Sequence, residues 1–287
     1  MWNDKGRNVV KVGVHAHVFY PDLWPEIASC IDNIVDVCGA ANVMVVVTHP
    51  GSAVGLKAEI EKKTFGCVTM VIGVPNRGYD VGPFVCEFLN KVDLDSLDLV
   101  VKLHTKRNVD TWLNFRPLRG ASWRNMLLSF CSSFKEFERV VLAFAKHPRL
   151  GYVAKHRLIN YCGSDLRDQV EPVCRMLQDE YSLYPRHMVT ISGTMFCARA
   201  RLLKCFKGRY KFEDFPLVNG TNAHRDYGLA AMLEFAFTLA ADAMGYFVSE
   251  GRFPVWFTRF GYAMQSAVYL SLRTFHSFLR SVLRVTV

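Results

Sequence analysis

The stretch "VPNRGYDVGPF" places Asn76, Arg77 and Asp80 directly after an apolar run, together with Gly78 and Gly82. Arg77 can donate two parallel hydrogen bonds to a phosphate or a carboxylate, and Asp80 can accept hydrogen bonds from ribose or sugar hydroxyls. The two glycines permit a tight turn and the close approach of a ligand to the backbone. The stretch therefore predicts a site for a phosphorylated ligand. The alternative is an ordinary turn in which Asp80 caps the next helix.

A second group of polar residues lies in "DLVVKLHTKR", where alternation along a strand puts Lys102, His104 and Lys106 on one face. Like charges this close repel one another, and an anion such as a diphosphate between them would relieve the repulsion. His15 and His17, in "GVHAHVF", also lie at the end of an apolar run. We expect all five side chains to help bind a donor molecule; the alternative is a solvated strand end.

The stretch "ISGTMFCAR" supplies three more candidates for donor binding. An apolar strand is broken at Gly193 and Thr194, and Arg199 follows the break. Small residues at such a break let a substrate lie against the backbone. The basic residues that follow Arg199 fit a solvated helix face better than a site.

Two carboxylates in "DYGLAAMLEFAF" are candidates for catalysis. Asp226 stands just ahead of a predicted helix, where an Asp is most often an N-terminal cap. Glu234 lies inside the helix among Leu233, Phe235 and Phe237, and a carboxylate in such surroundings normally has a partner or a function. We predict Asp226 as a general base, with Glu234 as the second choice.

The elements that must position these residues alternate along the chain. Runs that are apolar on both faces indicate the strands of a parallel sheet, and helical patterns separate them. The predicted strands span 9–20, 42–49, 67–75, 97–106, 150–154, 187–199 and 245–250. The predicted helices span 22–39, 52–63, 83–92, 123–133, 134–146 and 227–241. The pattern predicts one α/β domain over residues 1–254, with a ligand at the carboxyl ends of the strands.

Composition limits the class of protein. The chain has 287 residues, 51% of them hydrophobic, and a net charge of +9, which suits a phosphate-bearing ligand, a nucleic acid or an anionic membrane. No nucleic-acid-binding motif is visible, so we expect no nucleic-acid partner. The nine cysteines form no CxxC pair, and no stretch of eighteen residues is uninterruptedly apolar. These features predict a cytoplasmic protein without a cysteine metal site or a transmembrane span.

Residues 255–287 form a separate, basic segment. Within 261–287, apolar residues recur at helical spacing, and Arg273, Arg280 and Arg284 share another side of the same helix, with no acidic residue present. This pattern predicts an amphipathic helix on the inner face of an anionic membrane. The alternative is a helix packed on the domain or on a second subunit.

Taken in order, the stretches "GVHAHVFYPDLWPEI", "VPNRGYDVGPFV", "DLVVKLHTKR", "WRNMLL", "HPRLGYVA", "SGTMFCAR" and "DYGLAAMLEFAF" resemble the rhamnan synthesis protein F family of bacterial polysaccharide glycosyltransferases. The resemblance covers about residues 10–237. It implies a GT-A-like, Rossmann-type fold, a nucleotide-sugar donor, a surface polysaccharide or lipid-linked acceptor, and rhamnose or another deoxyhexose as the sugar. The chain departs from the family pattern at Ala231 and Phe235, where a His and an Arg are usual, and at Asp165, where an Asn is commoner.

The resemblance leaves two functions and two kinds of diphosphate site open. The first function is a glycosyltransferase; the second is a non-catalytic module of the same fold that binds a nucleotide sugar or a carbohydrate. GT-A enzymes generally hold a metal after the fourth strand, where this chain has Lys102, His104 and Lys106. We therefore expect fixed positive charge in place of a metal cofactor. The alternative is that Asp80 or Asp98 with a His holds Mg²⁺ or Mn²⁺.

Overall fold

The computed structural model describes residues 9–53, 55–113, 116–161, 167–186, 189–218 and 228–251. Its strands are β1 (Val12–His17), β2 (Val43–Pro50), β3 (Val68–Val74), β4 (Leu99–His104), β5 (Thr111–Leu113), β6 (Arg116–Leu118), β7 (Leu150–Val153), β8 (Ile159–Tyr161), β9 (Val189–Ile191), β10 (Phe196–Arg199) and β11 (Phe247–Ser249). Its α-helices are α1 (Trp24–Cys38), α2 (Leu56–Glu61), α3 (Val81–Pro83), α4 (Leu89–Lys91), α5 (Ser122–Leu128), α6 (Phe134–Lys146), α7 (Arg167–Tyr181) and α8 (Gly228–Ala243). A π-helical turn, Phe84–Phe88, joins α3 to α4.

In the part of the chain that the structure describes, seven strands form the main sheet, in the order β11-β7-β10-β4-β1-β2-β3. Within the described ranges, β10 is antiparallel to both of its neighbours, and the other adjacent pairs are parallel. Two antiparallel pairs, β5 with β6 and β8 with β9, lie outside this sheet. The predicted fold class, a mostly parallel sheet flanked by helices, is confirmed.

The strand order reverses between β1 and β4. From β1 the chain moves outward through β2 to β3, and then crosses back to place β4 on the other side of β1. Because such crossovers are right-handed, α1 and the helical stretch from α3 to α4 cover opposite faces of the sheet. Ligands of open α/β sheets bind at the carboxyl ends of the strands where the order reverses, so β1 and β4 lie where a ligand is expected.

The central strands are buried along their whole length. Every residue of β1 and β4 is buried, including the polar His15, His17, Lys102 and His104. In contrast, β3 at the sheet edge is mostly exposed or half-buried. Four buried polar side chains in two adjacent strands require partners, because a buried polar group without a hydrogen bond costs free energy.

The strands and helices depart from expectation in three respects. Strands β5, β6 and β8 lie where the sequence pattern predicts no strand. The stretch 187–199, expected to be one strand with a break, contains β9 and β10, which belong to different sheets. Helix α7 was missed because Pro172 lies inside it, although Val170, Val173 and Leu177 are buried along one side. The whole proposed segment 255–287, including the amphipathic helix predicted in 261–287, lies outside the described residues. No helix in the described part of the chain is long and apolar enough to cross a membrane.

Candidate functional site

The site begins with two rows of polar side chains at the carboxyl end of the sheet. His15 of β1 lies opposite Lys102 of β4, and His17 lies between Thr48 of β2 and His104 of β4. Residues in register on parallel strands point to the same face, so these five side chains face the same way. The sheet therefore brings His15, His17, Lys102 and His104 together, as the sequence predicted.

An ion pair between Lys102 and Asp80 lies at the centre of the site. The Lys102 ammonium is fully buried and donates to Asp80 Oδ2 and, over 3.1 Å, to the carbonyl oxygen of Thr194. Thr194 Oγ1 donates to the same carboxylate oxygen over 3.0 Å. The ammonium also lies 5.6 Å from the centre of the Phe84 ring, a cation–π distance. Asp80 thus makes no side-chain cap to the helix that follows it.

The turn that carries Asp80 can be built only with glycine at two positions. Gly78 has a φ of +69°, and a Cβ atom there would lie 2.6 Å from the Phe215 ring. A Cβ atom on Gly82 would lie 2.3 Å from the carbonyl oxygen of Arg77. Tyr79 also adopts a positive φ, of 54°, which is uncommon for a residue with a Cβ atom. The glycines therefore close the turn tightly enough to direct Asp80 at Lys102.

Asn76 and Arg77 bind the protein's own backbone. Arg77 Nη1 donates to the carbonyl oxygen of Phe215 over 2.6 Å, and Asn76 Nδ2 donates to that of Val218 over 3.1 Å. A β-bridge between Arg77 and Leu217 adds to this contact. These two residues therefore fasten the turn to the segment 215–218, and the predicted phosphate contact of Arg77 stays a prediction.

The break after β9 forms the opposite wall of the site. Gly193 has a φ of +81° and Thr194 one of +47°. A Cβ atom on Gly193 would lie 2.5 Å from the Leu127 side chain, so only glycine fits. The carbonyl oxygen of Gly193 accepts from His104 Nε2 over 3.0 Å. This part of the backbone therefore bonds to both polar residues of β4.

His15, His17 and His104 are neutral at physiological pH because burial lowers the pKa of each. Burial lowers the pKa of His17 to about 3 and that of His104 to about 4, and it also lowers the pKa of His15. Burial alone would raise the pKa of Asp80, but Lys102 and His104, which is protonated at the low pH where Asp80 titrates, outweigh burial and hold that pKa well below its usual range. The expectation of three cations around a bound diphosphate is therefore corrected. His104 is uncharged at neutral pH, and Asp80 already pairs with Lys102.

Lys106 is the cation of this group that remains available. Its side chain is half-buried and forms no ion pair with any residue that the structure describes. Lys106 lies close enough to influence the pKa of Asp80 and of Glu234. It is therefore the better candidate for contact with a bound anion than Lys102.

Glu234 on α8 belongs to the same site. Burial and the nearby Asp80 carboxylate raise the pKa of Glu234 to about 7, against the opposing effects of Lys102 and Lys106. Helix α8 packs on α3, which begins directly after Asp80. The expectation that this carboxylate has special surroundings therefore holds, and two carboxylates of different acidity lie near one another.

Two predicted site residues are not brought to this centre by the described structure. Arg199 pairs with Leu99 at the opposite end of β4 from His104. Its guanidinium donates to the backbone oxygens of Phe144, His147 and Leu150, so its role is structural rather than in donor binding. Asp226 lies outside the described residues, and its proposed role stays a prediction.

Asp98 does not belong to a metal site near the histidines. Its carboxylate accepts from the backbone N–H of Lys11 over 2.9 Å, before the start of β4. Among the described residues, no group of three or more His, Cys, Asp or Glu side chains is placed to hold a metal ion. The alternative in which Asp98 and a His hold a metal ion is therefore wrong, because Asp98 lies at the opposite end of β4 from His104.

Thr48 was missed by the sequence analysis. Its hydroxyl lies 2.9 Å from His15 Nε2 and 3.0 Å from His17 Nδ1. The only sign of Thr48 in the sequence is its place in the run "VMVVVTHP". There Thr48 and His49 directly follow four valines and a methionine, and polar residues are unusual beside such an apolar run.

Comparison with known proteins identifies a matching family and distant likenesses among solved structures. The sequence profile of the family described as rhamnan synthesis protein F matches residues 3–222. No curated protein has a matching sequence. The crystal structure of core-mannan synthase A from Aspergillus fumigatus in an Mn/GDP form is 8% identical, with a TM-score of 0.40 over 84% of this chain and 73% of that one. At that TM-score the likeness carries no argument about the site.

Proposed function

Because the chain belongs to the rhamnan synthesis protein F family, we propose that it is a glycosyltransferase. Its donor is a nucleotide-diphosphate sugar, with rhamnose or another deoxyhexose as the sugar. Its acceptor is a growing bacterial surface polysaccharide or a lipid-linked glycan. Family membership and the polar centre at the strand-order reversal support this assignment.

The observation that carries the proposal is the pair of unequal carboxylates, Asp80 and Glu234. Paired titratable groups whose pKa values are pushed apart are typical of acid–base catalysis. Asp80 stays ionised in its pair with Lys102, whereas burial raises the pKa of Glu234 to about 7. A group with a pKa near neutrality can both take up and release a proton at physiological pH.

The residues take separate roles in the proposed transfer. The acceptor hydroxyl oxygen forms a bond to the anomeric carbon, and the bond from that carbon to the diphosphate oxygen breaks. Glu234 accepts the hydroxyl proton, and Lys106 stabilises the negative charge on the departing nucleoside diphosphate. Asp80 accepts hydrogen bonds from donor hydroxyls. Asp226 is the alternative base.

A non-catalytic module is the second candidate. Ala231 and Phe235 stand on α8 where the family usually has a His and an Arg, and both are half-buried near Glu234. A chain that lacks those two polar side chains could bind a nucleotide sugar without turning it over. The two candidates differ in whether the donor is consumed.

The test is a donor-consumption assay with a panel of nucleotide sugars, run beside a thermal-shift screen of the same compounds. Wild-type protein should release nucleoside diphosphate. Glu234→Gln should still bind the donor, but it should release nucleoside diphosphate at least about a hundredfold more slowly. Glu180→Gln, an exposed substitution on α7, is the matched control and should behave as wild type. Binding of a donor without any turnover by the wild type would favour the non-catalytic module.

The proposed membrane contact rests on the sequence of residues 261–287 alone. An Arg-bearing amphipathic helix would attract an anionic leaflet by about 1 kcal/mol for each cation near the surface. Attachment to the inner face of the membrane would place the active site beside a lipid-linked acceptor.

A further inference from the structure

The hydroxyl of Thr48 lies between the rings of His15 and His17, at 2.9 Å from His15 Nε2 and 3.0 Å from His17 Nδ1. All three side chains are buried. The hydroxyl has one hydrogen atom and can donate it to one ring only. The other ring must then donate its own N–H to Thr48 Oγ1, so this single hydroxyl constrains the tautomers of both histidines.

Three arrangements of hydrogen atoms fit these distances for neutral rings. In the first, His15 Nε2–H donates to Thr48, and Thr48 donates to His17 Nδ1. In the second, the direction is reversed, and the remaining hydrogen of His15 moves to Nδ1. In the third, both rings donate to Thr48, and the hydroxyl hydrogen has neither ring as its acceptor.

His15 discriminates between these arrangements. Its Nδ1 is buried without a hydrogen-bond partner among the residues that the structure describes, and its ring packs on Phe84 and Phe88 at centroid distances of 5.5 and 5.4 Å. The second arrangement would leave an N–H donor there and the third would leave a buried O–H donor, and orphaned buried donors are the rarer defect. Lys102 is also close enough to lower the pKa of His15, and a nearby cation favours a bare ring nitrogen over an N–H. The first arrangement is therefore preferred.

We infer that Thr48 is a positioning residue that holds His17 in the Nε2–H form, so that His17 offers one N–H donor to a phosphate oxygen of the sugar donor. In this arrangement Nδ1 of His17 is occupied by the Thr48 hydroxyl, and the hydrogen must be on Nε2. The ring lies beside His104 in the row that ends β1 and β4, within electrostatic reach of Asp80. The ligand in this inference rests on the proposed function, whereas the tautomer does not.

The first experiment reads the tautomer directly. The full-length protein, with ¹⁵N in its histidine rings, is studied without any ligand by NMR correlations between ring carbon-bound hydrogens and ring nitrogens. His17→Gln identifies the signals of His17. We expect a protonated Nε2 and a bare Nδ1 at neutral pH. Thr48→Val should abolish the preference for Nε2–H, and Thr48→Ser, which keeps the hydroxyl, should restore it.

The second experiment measures pyrophosphate binding by calorimetry. Thr48→Val should weaken binding about ten- to a hundredfold, the effect of one hydrogen bond to a charged group, and Thr48→Ser should retain most of the affinity. Thr69→Val, an exposed substitution on β3, is the matched control and should bind as wild type.

Each result decides part of the inference. An Nδ1–H or doubly protonated His17 in the wild type overturns it, even if Thr48→Val fails to fold. An unchanged tautomer in a folded Thr48→Val protein overturns the role of Thr48. A changed tautomer with unchanged pyrophosphate affinity, or no pyrophosphate affinity at all, overturns the phosphate contact. Failure of every nucleotide sugar to turn over refutes the proposed transferase and leaves the tautomer result standing.

Discussion

Replacement of Glu234 by Gln removes one ionisable group from the site while keeping its size. In the folded protein the pKa of Glu234 is raised from its ordinary 4.5 to about 7, chiefly by burial. The folded state therefore retains a proton that the unfolded chain has released at intermediate pH. Stability from this group is fully present below pH 4.5 and declines as the pH rises towards and through about 7. A glutamine does not ionise, so the side chain at position 234 in Glu234→Gln adds no pH dependence to stability.

The size of the effect follows from the change in pKa. At about 1.4 kcal/mol for each pKa unit, the wild type should lose on the order of 3 kcal/mol relative to Glu234→Gln between about pH 4 and pH 8.5. Urea titrations of both proteins at these two pH values measure the free energy of unfolding. The free energy of unfolding of Glu234→Gln, minus that of the wild type, should increase as the pH rises.

The pH dependence of activity tests the ionisation of Glu234 independently of stability. If Glu234 is the base, kcat/KM of the wild type should rise with pH through an apparent pKa near 7, because only the carboxylate can accept a proton. Glu234→Gln should lose kcat and that pH dependence while keeping its affinity for the donor. A stability difference that does not change with pH, or a variant with wild-type kcat, would refute the assignment.

Four other changes test the ion pair, the turn, the metal question and the C-terminal segment. Lys102→Met should lower the free energy of unfolding by about 3 to 5 kcal/mol in urea, since it leaves Asp80 without its cation. Gly82→Ala should lower the melting temperature, because its Cβ would lie 2.3 Å from the Arg77 carbonyl oxygen. EDTA should leave sugar transfer largely intact if Lys106 provides the charge for the leaving group. Removal of residues 261–287 should leave a folded protein that no longer sediments with anionic liposomes.

The controls and contrary results for these changes are distinct. Gly51→Ala is the control for the turn, because the nearest atom to its Cβ would be 3.7 Å away. Lys102→Met with wild-type stability would show that the ion pair contributes nothing to folding. Inactivation by EDTA that added Mn²⁺ reverses would show that a metal serves the reaction. A truncated protein that unfolds, with a full-length chain that ignores liposomes, would assign residues 261–287 to the core or to a subunit interface.

The sequence predicts the scaffold well where one pattern dominates a segment. The apolar run 42–49 becomes β2, and the helical spacing of Trp24, Ile27, Ile31 and Ile34 becomes α1, with all four residues buried. Such patterns reflect burial, which is a property of the segment itself. Helix α7 was missed because its Pro172 is the strongest local signal against a helix, and packing overrides it.

The site could be predicted only as far as side-chain chemistry allows. The clusters around Asp80 and Lys102 were recognised separately, but their pairing joins residues 22 positions apart and depends on the crossover between β3 and β4. The sequence predicts a ligand contact for Arg77 and Arg199 because their guanidinium groups suit anions. The structure gives both of them backbone carbonyl oxygens, which no sequence pattern displays. The sequence does predict Glu234 as a site residue, because a carboxylate within an otherwise apolar helix is visible in that one segment alone.

The pair of Lys102 and Asp80 argues for function more strongly than for stability. A buried ion pair loses much of its attraction to desolvation, and well-packed apolar residues of similar volume are often as stabilising or more so. The chain nevertheless buries an ammonium completely and surrounds it with acceptors from a separate turn and a separate strand break, at Asp80 and Thr194. Tyr79 and Thr194 adopt positive φ values next to this pair, and such strain persists only where the surrounding structure imposes it. An apolar core would need neither the strained backbone nor the glycines at 78 and 193, so the arrangement is best explained by the need to hold an ionised carboxylate in a fixed position beside Glu234.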